Sequence, residues 1–286
     1  MNAMLDYSDI LLTADYDRTL TAPDSSIPER NLEAIRDFMA KGGAFTVNTG
    51  RSVPMAAAFL ERIPVNAPLL LYNGSAAFDM ETRQLCQLHQ IPLDPWETVN
   101  ACVRLFPDMA VEVQGVDAHC QITDKPGWIA FNQNNGCRYR MARPGDDLTP
   151  FLKFSLYGSF RANTVASLFD GTPEELARMD QVEQTLRLLF GPWCEVFRAA
   201  ARIIDVHAKG VSKGKAAREL QRKLGRKILV CVGDADNDLP MLEDTDYAFV
   251  PGDSSLRDRY RPVCPCSEGA IADVIWKKIP EIIKNT

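Results

Sequence analysis

A continuous apolar run, Ile228-Leu229-Val230-Cys231-Val232, narrows the fold more than any other stretch of this chain. It is rich in β-branched residues and shows no alternation. That is the pattern of a strand covered on both faces, and hence of a parallel sheet. Directly after it come Gly233-Asp234-Ala235-Asp236-Asn237-Asp238. Carboxylates crowded at one strand end repel one another unless something positive sits among them. A hard divalent cation such as Mg2+, which takes one or two carboxylates plus waters and a phosphate oxygen, suits such a place. An EF-hand calcium loop does not fit the spacing. The sixth position from Asp234 is Leu239, where that loop needs Gly, and the twelfth is Thr245, where it needs Glu.

Three other segments follow a similar plan. Ile10-Leu11-Leu12 leads into Asp15-Tyr16-Asp17-Arg18-Thr19. Ligands of open α/β sheets bind outside the carboxyl ends of the strands. Asp15 can therefore face a crevice as a nucleophile, with Asp17 placed to handle protons. The competing reading is a turn with solvated acids. An EF-hand fails here too, with Leu20 where Gly is required. Ala44-Phe45-Thr46-Val47 runs into Thr49-Gly50-Arg51, and Pro54 beyond it reads as a helix start. A helix cap and a phosphate seat are compatible there, because anions are stabilised at helix N-termini. Gly210-Val211-Ser212-Lys213-Gly214 opens a helix carrying Ala216, Ala217, Leu220 and Leu224 at helical spacing. Lys213 could screen a nucleophile and a phosphate from each other; read alone, it is an exposed helix-start lysine. The segment is one residue short of a Walker A loop.

Together these four pieces resemble the haloacid dehalogenase superfamily, in its Cof-type phosphatases with a large inserted cap. Asp15, Thr49, Lys213 and Asp234 fall at the four signature positions in order. Asn73-Gly74, after Leu69-Leu70-Leu71-Tyr72, is similar to the family's turn into the cap. The resemblance implies an α/β fold: a Rossmann-like parallel-sheet core at residues 1–81 and 206–286, with an inserted α+β cap at 82–205. It implies that Asp15 attacks phosphorus, while Asp17 protonates the leaving group and then deprotonates the attacking water. Thr49 and Lys213 would hold the phosphoryl oxygens, with Gly50, Arg51, Asn73 and Asn237 also on the phosphate. Mg2+ would be bound by Asp15, the Asp17 backbone carbonyl and Asp234, with Asp238 in support. The chain departs from the family in three places. Arg18 stands where Gly is usual and is expected to point to solvent. Asp236 stands where Glu or Gly is common, and Val250-Pro251-Gly252-Asp253-Ser254-Ser255 replaces a small-residue segment with Asn beside the site.

Composition agrees. A chain of 286 residues makes one large domain or two modest ones. A formal charge of −6 without a basic tract argues against nucleic acid as a partner. Eight cysteines, spread singly, read as free thiols of a reducing cytoplasm. The N-terminus, with Asp6 and Asp9, lacks the pattern of a secretory leader, and no apolar stretch reaches spanning length, so no membrane partner is expected.

In the core half, Ser26-Ile27-Pro28-Glu29 is expected to form a capping box. The helix it starts would turn Leu32, Ile35, Phe38 and Met39 inward and stop at Gly42-Gly43. In the insert, Val111–Val113 and Phe151–Leu156 read as strands and Pro173–Leu189 as a helix, while Cys194–Phe197 and Arg202–Asp205 form a hairpin. The insert would act as a lid that excludes water and selects the substrate. His119, Lys153, Arg138, Arg140 and Trp128 are its candidates to grip a polar leaving group, and His207 could approach the site. By resemblance the partner is a small phosphorylated metabolite such as a sugar phosphate. A phosphotransferase or sugar-phosphate mutase is the nearest alternative. A phosphate sensor without turnover is disfavoured because no reactive group is missing. Dinucleotide binding is disfavoured because the first strand lacks Gly-x-Gly-x-x-Gly.

Overall fold

The computed structural model describes residues 6–57, 61–134, 137–158 and 171–284. The chain forms two compact units: one of residues 1–50, 61–87 and 212–286, the other of 51–60 and 88–211. In chain order the elements are β1 (Ile10–Ala14), α1 (Glu29–Ala40), β2 (Ala44–Val47), α2 (Val53–Ala56), β3 (Leu69–Leu71), β4 (Ala76–Asp79) and β5 (Gln84–Leu88). There follow α3 (Pro95–Leu105), β6 (Ala110–Gln114), β7 (His119–Gln121), α4 (Pro126–Asn134), β8 (Tyr139–Met141) and β9 (Lys153–Tyr157). Then come α5 (Pro173–Phe190), β10 (Cys194–Ala200), β11 (Ile203–Ala208), α6 (Lys213–Lys223), β12 (Ile228–Val232), α7 (Leu239–Glu243), β13 (Tyr247–Val250) and β14 (Arg261–Pro262).

The first unit is built on a parallel sheet ordered β14-β13-β12-β1-β2. Strand β1, flanked by β12 and β2, is buried along its whole length, as its apolar start Ile10-Leu11-Leu12 requires. Leu11, Leu70, Ala217, Leu220, Leu229, Cys231 and Met241 form one core, against which α6 lays its apolar face. Register then positions the chemistry. Ala14 is aligned with Val47 on one side and Val232 on the other. The next residues of all three strands therefore emerge together at the carboxyl edge of the sheet, the place where open α/β sheets bind ligands. A bridge from Asn48 to Leu70 brings β3 to the same edge.

The second unit is a six-stranded sheet ordered β10-β11-β9-β6-β7-β8. Its pairs are antiparallel except β7 with β8. Val111, Val113, Phe154, Leu156, Ile204 and Val206 pack on one face with Val99, Cys102, Val182 and Leu186 of α3 and α5. Their strand neighbours Glu112, Gln114, Ser155, Asp205 and His207 are also buried, on the opposite face. The period of two thus holds, but the second face is polar and closed. α5 is capped reciprocally: Thr172 Oγ1 accepts from the Glu175 N–H, and Glu175 accepts from the Thr172 N–H.

The structure corrects the expected start of α1. No capping box starts α1. Pro28 occupies the cap position, and Ser26 donates from both its N–H and its hydroxyl to Asp24, a nearer acceptor. Within the second unit, Ser52 bonds to His119. His207, which the sequence marked only as able to approach the site, is buried within the second unit's sheet, edge-on to Phe197, and burial lowers its pKa. Among the described residues no helix is long and apolar enough to cross a membrane.

Gly214 shows how tightly α6 is placed. A Cβ there would lie 2.0 Å from the Pro240 carbonyl oxygen at the start of α7. Gly214→Ala is therefore expected to cost about 2–3 kcal/mol or more in urea unfolding. A loss below about 0.5 kcal/mol would contradict this packing.

Candidate active site

Four side chains from three segments converge at the carboxyl edge of the parallel sheet. Asp15 follows β1, Asp234 and Asp238 follow β12, and Lys213 opens α6. The Lys213 ammonium donates to Asp15 Oδ1 at 2.5 Å and to Asp238 Oδ1 at 2.6 Å. It is almost wholly enclosed, at 1% exposure, with Asp15 at 5% and Asp238 at 0%. Both acids are held in place. The Asp15 N–H donates to Val232 O at 2.9 Å, and Asp238 Oδ2 accepts from the backbone of Asp234 (2.9 Å) and Ala235 (3.2 Å). Lys213 is aimed by its helix: Ser212 caps α6, and Asn48 Nδ2 donates to the Lys213 carbonyl at 2.9 Å.

The ligating oxygens of Asp15, Asp234 and Asp238 lie within 4.8 Å of one another. Three carboxylates face one ammonium, so the cluster carries surplus negative charge. Burial pushes the Asp15 carboxyl well above its usual range; Lys213 opposes this, while the charges of Asp238, Asp234 and Asp17 add to it. Burial, with Asp238 adding, pushes Asp234 up to about 7. For Lys213, burial works against the charged form, but Asp15 and Asp238 outweigh it and the pKa rises. An all-oxygen donor set with uncompensated charge fits a hard cation. Asp238 already has both oxygens engaged by Lys213 and backbone N–H groups, so Asp15 and Asp234 are the carboxylates best able to reach such an ion.

The expected phosphate residues divide between the units. Thr49 is buried on the turn after β2, where its N–H donates to Leu70 O and its carbonyl accepts from the Asn73 N–H. A Cβ on Gly50 would meet Asn73 Oδ1 at 2.7 Å, so any side chain there would displace the Asn73 amide. Asn73 adopts a left-handed conformation, φ 55°. Asn237 is half-buried beside Asp238, and Arg51 falls in the second unit. Asp17 is exposed. Arg18, with φ 59°, is also exposed and lines an open cavity of about 390 Å³ with Asp234, Asp253, Ser254 and Arg257. Three supporting residues were not singled out from the sequence. Thr19 donates to Asp234 Oδ1 at 3.2 Å, Ser254 donates to the Asp234 carbonyl at 2.6 Å, and Asn48 braces Lys213.

The candidate grips of the insert are mostly engaged within the second unit. Lys153 pairs with Asp205 at 2.5 Å and Arg140 with Asp146. Trp128 donates to Glu112 and stacks on Tyr157, while His119 lies between Glu112 and Ser52. Arg138 is exposed.

Asp15 bonded to the buried Lys213, with two further acids on the adjacent loop, thus stands at the carboxyl edge of a parallel sheet, where open α/β folds bind their ligands. The model of the haloacid dehalogenase-like hydrolase family matches residues 12–256, and the chain belongs to that family. Among sequences it is similar to an HMP-PP phosphatase of Serratia proteamaculans, 25% identical over 94% of this chain and 96% of the relative. An HMP-PP phosphatase of Escherichia fergusonii is 24% identical over 85% and 84%. Among solved structures, a haloacid dehalogenase-like hydrolase from Bacteroides thetaiotaomicron superposes with a TM-score of 0.77. It is 18% identical, with 94% of this chain and 98% of that one covered. The HAD subclass IIB sugar phosphatase BT4131 superposes at 0.70, with 17% identity and coverage of 96% and 99%.

Replacing Lys213 strands two buried carboxylates. Lys213→Met is expected to destabilise the metal-free protein by about 3–5 kcal/mol at neutral pH. Asp15, one of the two, has a raised folded-state pKa, so its penalty falls as it protonates, and the deficit should shrink as pH is lowered toward 5. A deficit independent of pH in thermal unfolding would contradict the assignment.

Proposed function

We propose that this enzyme, a phosphatase of the haloacid dehalogenase-like family, hydrolyses a small phosphorylated metabolite through an aspartyl-phosphate formed on Asp15. The observation that carries the reading is the buried Lys213 ammonium shared by Asp15 and Asp238. It fixes the Asp15 carboxylate in one orientation and offsets the repulsion an incoming phosphate dianion would meet. Asp15 attacks phosphorus in line with the leaving oxygen. Asp17, which is exposed on the same loop, donates a proton to that oxygen and then removes one from the water that cleaves the acyl phosphate. Thr49 and Lys213 hold the phosphoryl oxygens, with Gly50, Arg51, Asn73 and Asn237 around them. Mg2+, held by Asp15 and Asp234 with the Asp17 carbonyl, would neutralise charge on the transferring group. Asp238 supports it through Lys213.

The relatives named HMP-PP phosphatase and the structural likeness to a sugar phosphatase set the first substrates to assay. Inorganic phosphate should appear with Mg2+ and stop with EDTA; release unaffected by EDTA would remove the metal from the scheme. Asp15→Asn should lower turnover by roughly 10³-fold or more while the circular dichroism spectrum is unchanged. Near-wild-type turnover in that variant would exclude Asp15 as nucleophile. Consumption of substrate without free phosphate would point to transfer onto another hydroxyl.

A further inference from the structure

The open cavity beside Asp234 is not used by the proposed chemistry. Arg18 and Arg257 line it together with Asp234, Asp253, Ser254 and Asp258, all of them in the first unit. Its volume of about 390 Å³ falls within the range of small-molecule sites, about 300–1,000 Å³. Among the described residues, neither Arg18 nor Arg257 makes a side-chain hydrogen bond or an ion pair. Other arginines of the same unit do: Arg218 pairs with Asp244 and Asp246, and Arg259 with Glu243. Two of the three acids in the lining are already engaged. Asp253 accepts from the Cys266 N–H at 2.9 Å and from its thiol at 3.2 Å. Asp234 accepts from Thr19 and faces the place suited to a cation. Asp258, which is exposed, stands against both guanidinium groups.

The walls of the cavity are fixed. Ser254 donates to the Asp234 carbonyl at 2.6 Å and accepts from the Leu256 N–H at 2.9 Å, which ties the Asp253–Arg257 loop to the end of β12. On the other side, Arg18 sits at φ 59° and ψ 12°. Glycine takes that left-handed conformation freely, whereas a long side chain takes it at a cost. The Arg18 N–H donates to Thr21 Oγ1 at 3.2 Å, and that hydroxyl donates to the Tyr16 carbonyl at 3.2 Å. These bonds hold the turn without the arginine side chain. The strained position therefore carries a guanidinium that the turn itself does not need, and such an outlier points to a use for the group.

We propose that Arg18, with Arg257, determines specificity: the cavity takes a second anionic group, phosphoryl or carboxylate, carried by the leaving group of the substrate. The planar fork of a guanidinium matches the oxygens of either group. Arg18 follows Asp17, the proposed proton donor to the leaving oxygen, and the cavity borders Asp234. The second anion is thus received beside the transferring phosphoryl group. The inference rests on the reading of Asp15 as the phosphoryl site, and it narrows the substrates of that site to those with two anionic groups.

Binding to the full chain is measured by titration calorimetry with free Mg2+ held constant. Methylphosphonate is the probe with one anionic group. Its partners are the methylene, ethylene and propylene diphosphonates, which vary the spacer, and phosphonoacetate, whose second group is a carboxylate. The best of these should bind about 10-fold or more tightly than methylphosphonate, the size of one charge-assisted hydrogen bond. Arg18→Gly suits the backbone at φ 59°, so the turn is kept. It should lose most of that gain and leave methylphosphonate affinity unchanged. Arg257→Gln should lose part of the gain, and Arg18→Lys, which keeps the charge without the fork, should fall between wild type and Arg18→Gly. The gain should also shrink as salt is raised, because the cavity is open to solvent. A gain from a diphosphonate alone assigns the cavity to a phosphoryl group, and an equal gain from phosphonoacetate admits carboxylates. No gain from any of these probes, or equal losses for probes with one and two anionic groups in Arg18→Gly, would overturn the proposal. If methylphosphonate binds and the second group adds nothing, only this inference falls. If methylphosphonate does not bind, the phosphoryl site itself is misassigned.

Discussion

An ammonium group cut off from water and shared by two carboxylates is the contact on which the candidate site depends. Lys213 meets Asp15 and Asp238 at 2.5 and 2.6 Å, inside a cluster where burial raises the pKa of Asp15 and of the neighbouring Asp234. Remove the lysine, and Asp15 and Asp238 lose the buried cation that both of them bond. Much of the surrounding structure serves to deliver that one charge. Ser212 caps the helix, Gly214 lets it approach Pro240, and Asn48 holds the first carbonyl. The arrangement costs desolvation, and such costs are borne where function requires a charge in a fixed place.

The two units use buried polarity in different ways. In the first it gathers at the end of a sheet whose interior is apolar, so charge is concentrated at a point. In the second it spreads over a whole sheet face, where Glu112, Gln114, His119, Lys153, Ser155, Asp205 and His207 are all enclosed. Buried polar groups are tolerable only when partnered. Lys153 with Asp205, and Glu112 with its donors, meet that condition. Such a face is ordered by direction-specific bonds and less by shape alone. Within the same unit it also bonds Ser52, through His119.

The parts of the fold that were legible are those carried by local chemistry. Unbroken apolar runs marked β1 and β12, and the strands proved buried along nearly their whole length. The hairpin of β10 and β11 and the long helix α5 were also visible as patterns. Lys213 was harder, because a lysine at a helix start is ordinarily solvated; only its company with the other motifs marked it. Thr19 and Ser254 lay in segments named from the sequence without a role of their own, and Asn48 was not named, because register and loop closure set what these residues touch. The Ser26 capping box failed through local competition, since Asp24 took both of the serine's donors. The insert's polar residues could not be sorted from the sequence for a related reason. Nothing near Lys153 in the sequence announces Asp205, and nothing near His119 announces Ser52, so a packing partner and a ligand grip read alike.

The most direct measurement is to trap the enzyme during turnover. A phosphomonoester found to be a substrate is mixed with the Asp17→Asn variant, in which breakdown of the acyl phosphate should be slow. The reaction is quenched in acid and the peptides are weighed. The peptide containing Asp15 should carry one phosphoryl group in near-stoichiometric amount, and the label should vanish on the Asp15→Asn background. A phosphoryl group on any other residue, or none while phosphate is still released, would contradict the assignment of Asp15 as the group that Lys213 holds ready for attack.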